Sequence, residues 1–168
     1  ARAGTFVIDV IARYQGQPTV SHTQRITIVV PEVNAVNIGA AGITGLSAVP
    51  GDSTGFVISV MNIGNTPGQY VVSCTSDNRW QVMLGSSNSS TLEFEPLNIK
   101  ESLPMYIRIF VPPVSNGAPI AGSTDTVTCW VNSLNDAEMN FTQSVEVLVL
   151  AQESFGSDLY DDDGPIGP

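Results

Sequence analysis

The chain has 168 residues, of which 42% are hydrophobic and only 13% are charged. Its net charge is −10, from 6 basic and 16 acidic residues. This balance excludes a basic surface for nucleic acid, and the hydrophobic content excludes global disorder because it is sufficient for a packed core. The sequence contains no apolar run of about 18 residues, so no membrane span is predicted in it.

The first 33 residues predict a β-hairpin that is repeated later in the chain. At an offset of 119 residues, without a gap, Thr5–Ala12 aligns with Thr124–Val131, and Thr23–Val30 aligns with Thr142–Val149. An internal repeat changes where a domain begins and ends. We therefore interpret residues 1–33 as the terminal strand pair of a preceding, incomplete β-sandwich module, or as a strand-exchange arm.

The apolar residues of this hairpin are candidate subunit contacts. They alternate along both strands, and we expect those of the first strand to form one face and those of the second strand another. An uncovered two-stranded ribbon is marginal in water and prone to aggregate. We expect upstream sequence, the second module or another subunit to cover it, in the last case by strand addition. The candidate contact residues are Phe6, Ile8, Val10, Ile26, Ile28 and Val30.

Residues 34–151 predict an all-β domain. Alternation of period two recurs between turn signals, and no long stretch has apolar residues at helical spacing. The first strand region is predicted over 35–48, and the densest turn signal lies at 62–68. Short strands with turns every 8–12 residues predict an immunoglobulin-like two-sheet β-sandwich of seven or eight strands.

The two cysteines, Cys74 and Cys129, are expected to form a disulfide. Cys74 shares a strand face with Tyr70 and Val72, and Cys129 shares one with Val127 and Val131, so both thiols point inward. In this topology their strands are neighbours in one sheet. A disulfide would stabilise the fold by about 4 kcal/mol and would indicate an extracellular or cell-surface location. The alternative is two unrelated buried thiols.

The segment Val49–Asn65 resembles immunoglobulin-like accessory modules of bacterial and archaeal secreted proteins, the NPCBM-associated domains, and the related bacterial cell-adhesion domains. The resemblance continues at Trp80–Val82, at Tyr106–Pro113, and at Gly117 followed by Thr126–Cys129. It spans about residues 36–150. It implies a spacer, stalk or binding role without chemistry of its own. The cysteine pair is not part of that family's pattern, so it is expected to be an added local staple.

The sequence does not predict an enzyme, because catalysis needs a nucleophile, a base and an orienting group in one pocket, or a metal. The sole histidine, His22, lies just before a strand of the incomplete module, where a complete catalytic centre is not expected. Serines are abundant, but none stands in a Gly-x-Ser-x-Gly elbow. Glu93 and Glu95 share a strand face, whereas a glycosidase pair must oppose each other across a cleft.

The tail at residues 152–168 is acidic and rich in glycine and proline, which is typical of a linker. Its candidate metal ligands are Asp161, Asp162 and Asp163. In a calcium loop with Gly164 at position six, position one would be Leu159 and no glutamate stands at position twelve. We expect no cofactor; calcium binding by the tail carboxylates remains an alternative.

Two other kinds of surface site are predicted. Asn88 and Asn140 begin glycosylation sequons in or beside predicted loops. Trp130, on the face opposite the cysteine side, could stack on a sugar ring together with Tyr106.

We therefore expect a non-catalytic extracellular structural module, such as part of a surface-protein stalk, an adhesin or a filament subunit. Its expected partners are neighbouring copies or adjacent domains of the same protein. The alternatives are a carbohydrate-binding accessory module of a secreted enzyme, with a glycan as partner, and a calcium-dependent adhesion module.

Overall fold

The computed structural model describes residues 1–40, 45–136 and 140–152, and over these residues it is all-β. A separate two-stranded sheet is formed by β1 (Gly4–Tyr14) and β2 (Gln17–Val30). The remaining strands are β3 (Val36–Ala40), β4 (Leu46–Ala48), β5 (Ser53–Asn62), β6 (Gly68–Ser76), β7 (Gln81–Leu84), β8 (Thr91–Leu97), β9 (Ser102–Phe110), β10 (Thr124–Ser133) and β11 (Asn140–Val149). The described residues contain no helix that could cross a membrane.

The nine later strands form the predicted two-sheet sandwich. One sheet has the order β4-β11-β10-β6-β8 and the other has the order β3-β5-β9-β7. The all-β fold class is confirmed, but the described part of the sandwich has nine strands rather than seven or eight. The difference arises because the predicted strand at 35–48 is two strands in different sheets. β3 pairs antiparallel with β5, whereas β4 pairs parallel with β11.

The core lies between the two sheets and follows from the alternation. Phe56, Ile58 and Val60 of β5 are buried, as are Ile107 and Ile109 of β9. Inward-facing residues of the other sheet complete the same cluster. Burying one such side chain contributes roughly 1.5–3 kcal/mol, so this continuous core is the main source of stability in the sandwich.

The chain crosses the sandwich from one pole to the other. Val36, the first residue of β3, pairs with Asn62, the last residue of β5. Val149, the last residue of β11, pairs with Ala48, which precedes the turn into the start of β5. We call the end at Val36 and Asn62 the junction pole, and the end at Val149 the exit pole. The chain therefore enters and leaves the sandwich at opposite ends.

The β1–β2 hairpin projects from the junction pole and is not covered by the sandwich. Every side chain of β1, and every one of β2 up to Val29, is exposed. Of the three covers expected for it, packing on the second module is not present in the structure. The domain borders themselves remain predictions, and residues 153–168 lie outside the described part of the chain.

Candidate assembly interface

The exposed hairpin has one continuous apolar face. In its register Phe6 lies opposite Ile28, and Ile8 lies opposite Ile26. Opposed residues of an antiparallel pair project to the same side, so the two apolar sets form one face and not two, as the sequence had suggested. Val10 and Val30 extend this face. Its members, apart from the half-buried Val30, are 42–49% exposed.

The other face of the hairpin is mixed and carries an ion pair. Arg25 donates two hydrogen bonds to Asp9, from Nε to Oδ1 at 2.9 Å and from Nη2 to Oδ2 at 3.3 Å. This contact raises the pKa of Arg25 above its usual value. Because the pair is exposed, solvent screens it and it adds little stability. It does mark this side as the one that tolerates charge.

Asn65 joins the hairpin to the sandwich at the junction pole. Its side chain accepts a hydrogen bond from the amide of Val33 at 2.7 Å and donates one to the carbonyl of Pro31 at 2.9 Å. The backbone amide of Asn65 donates to the backbone carbonyl of Val33 at 3.0 Å. The backbone carbonyl of Asn65 accepts from the backbone amide of Ala3 at 3.1 Å. One residue of the β5–β6 turn thus holds both ends of the hairpin.

Two neighbours of Asn65 shape this turn. A side chain at Gly64 would collide with the carbonyl oxygen of Val33, so the linker lies directly against the turn. Asn62 is fully buried; it donates to the carbonyls of Thr66 and Leu97 and accepts from the amide of Gly64. The turn signal predicted at 62–68 therefore does more than reverse the chain, because it also binds the linker.

We expect Asn65→Ala to loosen the hairpin without unfolding the sandwich. The substitution removes two side-chain hydrogen bonds, each with a net contribution of about 1 kcal/mol. The amide of Val33 should therefore exchange its hydrogen about 30-fold faster. Amide exchange by nuclear magnetic resonance measures this, with Asn98→Ala as the control, since Asn98 bonds to Glu101 in the neighbouring loop. Equal exchange rates in the two variants would contradict this role for Asn65.

Cys74 and Cys129 form a disulfide in the middle of the five-stranded sheet. They lie directly opposite each other on β6 and β10, with a Cα–Cα distance of 4.0 Å, and both are buried. The bridge joins neighbouring strands of one sheet, and it does not connect the two sheets. Disulfides of this kind persist in oxidising compartments, which points to an extracellular or surface protein.

The predicted sugar platform is not formed. Trp130 lies on the outer face of the five-stranded sheet, opposite Ser73 and Thr142. Tyr106 lies on the outer face of the four-stranded sheet, where its ring packs over Gly55. The core separates the two aromatic side chains, so they cannot stack on one sugar ring. The sequence shows which face of its own strand each residue occupies, but not that the two strands belong to different sheets.

The other candidates remain separate surface positions. Asn88 is exposed in the loop between β7 and β8, and Asn140 is exposed at the start of β11, so both sequons are accessible. Their modification stays a prediction. His22 is exposed on β2. The tail aspartates lie outside the described residues, and in the remainder no three His, Cys, Asp or Glu side chains could together hold a metal ion.

A cleft of about 770 Å³ opens at the exit pole. The residues that line it include Arg79 and the apolar side chains of Trp80, Phe110, Pro112, Pro119 and Ile120. Its walls are mainly apolar, and no sequence pattern indicated it because the lining comes from four separate segments.

Comparison with known proteins supports the fold. No protein-family model and no curated protein matches the chain. A family 123 glycoside hydrolase from Clostridium perfringens, studied for glycolipid glycan hydrolysis, is 13% identical with a TM-score of 0.50, and the match covers 71% of this chain and 27% of that one. Domains 4 and 5 of the S-layer protein SbsC are 22% identical with a TM-score of 0.43, covering 89% and 59%. The hydrolase likeness shows a shared fold and assigns no activity.

Proposed function

We propose that this chain is a non-catalytic structural module of an extracellular or cell-surface protein, set in line between its neighbours. The observation that carries this proposal is the path of the chain, which enters at the junction pole and leaves at the exit pole. Neighbours joined to such a module lie at its two ends, so the sandwich acts as a spacer along its whole length. A ten-residue strand such as β11 spans about 33 Å.

The strand pairing at the exit pole suits a module under tension. Leu46–Ala48 of β4 runs parallel to Val147–Val149 of β11. Tension on the two ends of the module pulls β4 towards the junction pole and β11 towards the exit pole. The hydrogen bonds between the two strands are therefore loaded together, along the strand axes, and do not open one at a time.

The disulfide adds resistance to full extension. It closes a loop between positions 55 residues apart that includes β7, β8 and β9. After the outer strands are pulled away, this loop cannot lengthen while the bond is intact. An oxidising location keeps the bond intact.

Force spectroscopy on the full chain held between handle proteins tests the proposal. We expect discrete unfolding steps, and reductant should lengthen the released chain by about 190 Å, from 55 residues at roughly 3.5 Å each. A double variant with Cys74→Ala and Cys129→Ala serves as the control, since it should give the longer step without reductant. Extension without a discrete step would contradict a role in resisting tension.

A further inference from the structure

The two hairpins of this chain share one pairing register. In the first hairpin Thr5 lies opposite Val29, and in the β10–β11 hairpin Thr124 lies opposite Leu148. Both members of the second pair are 119 positions after those of the first, which is the offset of the sequence repeat. If the two hairpins shared only an alternating pattern, their registers could still differ by any even number of residues. The structure therefore supports the repeat independently of the sequence alignment.

The exposed face of the first hairpin corresponds to the core face of the second. Ile8, Ile26 and Ile28 are 42–46% exposed. Their counterparts at the same offset, Val127, Val145 and Val147, are 0–8% exposed and form part of the sandwich core. Apolar side chains thus occupy the same register positions in both hairpins, but only the second hairpin has a sheet packed against them.

The outer faces agree as well. The Asp9–Arg25 ion pair corresponds in register to Thr128 and Ser144, whose hydroxyl oxygens are hydrogen-bonded at 3.0 Å on the solvent side of β10 and β11. In both hairpins a polar cross-strand pair marks the side that faces away from a core. The first hairpin therefore has the inner and outer faces of a closing strand pair.

We propose that the β1–β2 hairpin is the closing strand pair of a second sandwich of the same type, and that the remaining strands of that sandwich cover its apolar face. By analogy with β10, the free edge of β1 would pair with an antiparallel strand, as β6 pairs here. By analogy with β11, the end of β2 would pair with a short parallel strand, as β4 does. The inference rests on the proposed function, because it names the neighbour of an in-line module.

Two positions show how the second sandwich differs. Val10 corresponds in register to Cys129, so the second sandwich lacks a disulfide at this position. Phe6 corresponds in register to Asp125, which is buried. The carboxylate of Asp125 accepts hydrogen bonds from the hydroxyl of Ser76 and the backbone amide of Asn78. A ring at that position requires an apolar neighbour in place of this polar contact.

A graft into the full chain tests the inference. Gln24–Val30 replaces Gln143–Val149 at the offset of 119 residues. The changes are Ser144→Arg, Val145→Ile, Glu146→Thr, Val147→Ile and Leu148→Val. We expect cooperative unfolding, with a melting temperature within about 10 °C of the wild type, because the core face remains apolar and only two core positions each gain one methylene.

The matched control moves the graft by two residues, so that His22–Ile28 replaces Gln143–Val149. This shift keeps the same face of the segment inward but puts Gln24 at the buried position of Val145. We expect its melting temperature to be at least about 10 °C below that of the first graft, because a buried amide without partners is costly. A shifted graft as stable as the first would overturn the inference. Neither graft alters the chain's path, so this test is separate from the force measurement.

Sedimentation of the full chain decides whether the apolar face of the hairpin is covered by the strands of a second sandwich or by a second copy of this chain. We expect no discrete dimer that depends on this face, since the sandwich of a second copy already contains its own β10 and β11. If the chain instead forms a dimer that Ile8→Lys abolishes, while Val7→Lys on the opposite face does not, then the face is covered by a second copy and the inference is wrong.

Discussion

Loss of the Cys74–Cys129 disulfide is expected to lower the free energy of unfolding by about 4 kcal/mol. The bond closes a loop between positions 55 residues apart, and in the chain-entropy model opening it returns that much conformational freedom to the unfolded chain. For a sandwich of this size, the melting temperature should fall by roughly 10–15 °C. Calorimetry with and without reductant measures the change.

The double variant with Cys74→Ala and Cys129→Ala is the matched control for this measurement. It should melt at or somewhat below the temperature of the reduced wild type, because it also leaves a small cavity among buried residues such as Val72 and Val131. Reductant should not change its melting temperature. If reduction also left the wild type unchanged, the bond would not contribute to stability as expected.

Replacement of Asn62 by alanine is the second large effect that we expect, about 3 kcal/mol of lost stability. The side chain is fully buried and makes three hydrogen bonds. Truncation removes all three hydrogen bonds, although the backbone amide of Gly64 keeps its bond to the carbonyl of Ala35. Each bond lost at this buried side chain costs about 1 kcal/mol. Urea denaturation followed by tryptophan fluorescence measures the loss.

Asn37→Ala provides the control for Asn62, because Asn37 lies on β3 at the same pole and is exposed. Its replacement should change the free energy of unfolding by no more than about 0.5 kcal/mol. Similar losses in the two variants would show that the buried network at Asn62 does not stabilise the turn. Loss of the turn should also free the linker, since Gly64 and Asn65, which contact the linker, lie two and three residues after Asn62 in the same turn.

Most strands of the sandwich could be predicted because alternation is a local property. The inward-facing residues of β5 and β10 are mostly apolar, with the buried polar residues Asn62 and Asp125 near strand ends, and this pattern is visible along the strand itself. The division of the predicted 35–48 strand could not be found in the same way. Side chains continue to alternate when a strand changes its partner, and pairing with β5 or with β11 depends on the distant strands that it meets.

The candidate sites divide along the same line. The pairing of Cys74 with Cys129 followed from the face that each occupies and from the expected strand order. The prediction that Trp130 and Tyr106 stack on one sugar ring was wrong, because it required β10 and β9 to lie in one sheet. The role of Asn65 had no signal beyond a turn-forming composition, because its linker partners, Pro31 and Val33, are more than 30 residues away in sequence.

The sequence by itself determined the all-β class and the inward cysteines, since these depend on local alternation, and direct alignment predicted the repeat at an offset of 119 residues. Only the tertiary structure decided that the apolar residues of the first hairpin form a single face, that this face is uncovered, and that Asn65 fastens its base. The physical reason is that register, sheet membership and burial are set by contacts between residues distant in sequence, and alternation along one strand does not specify its partner.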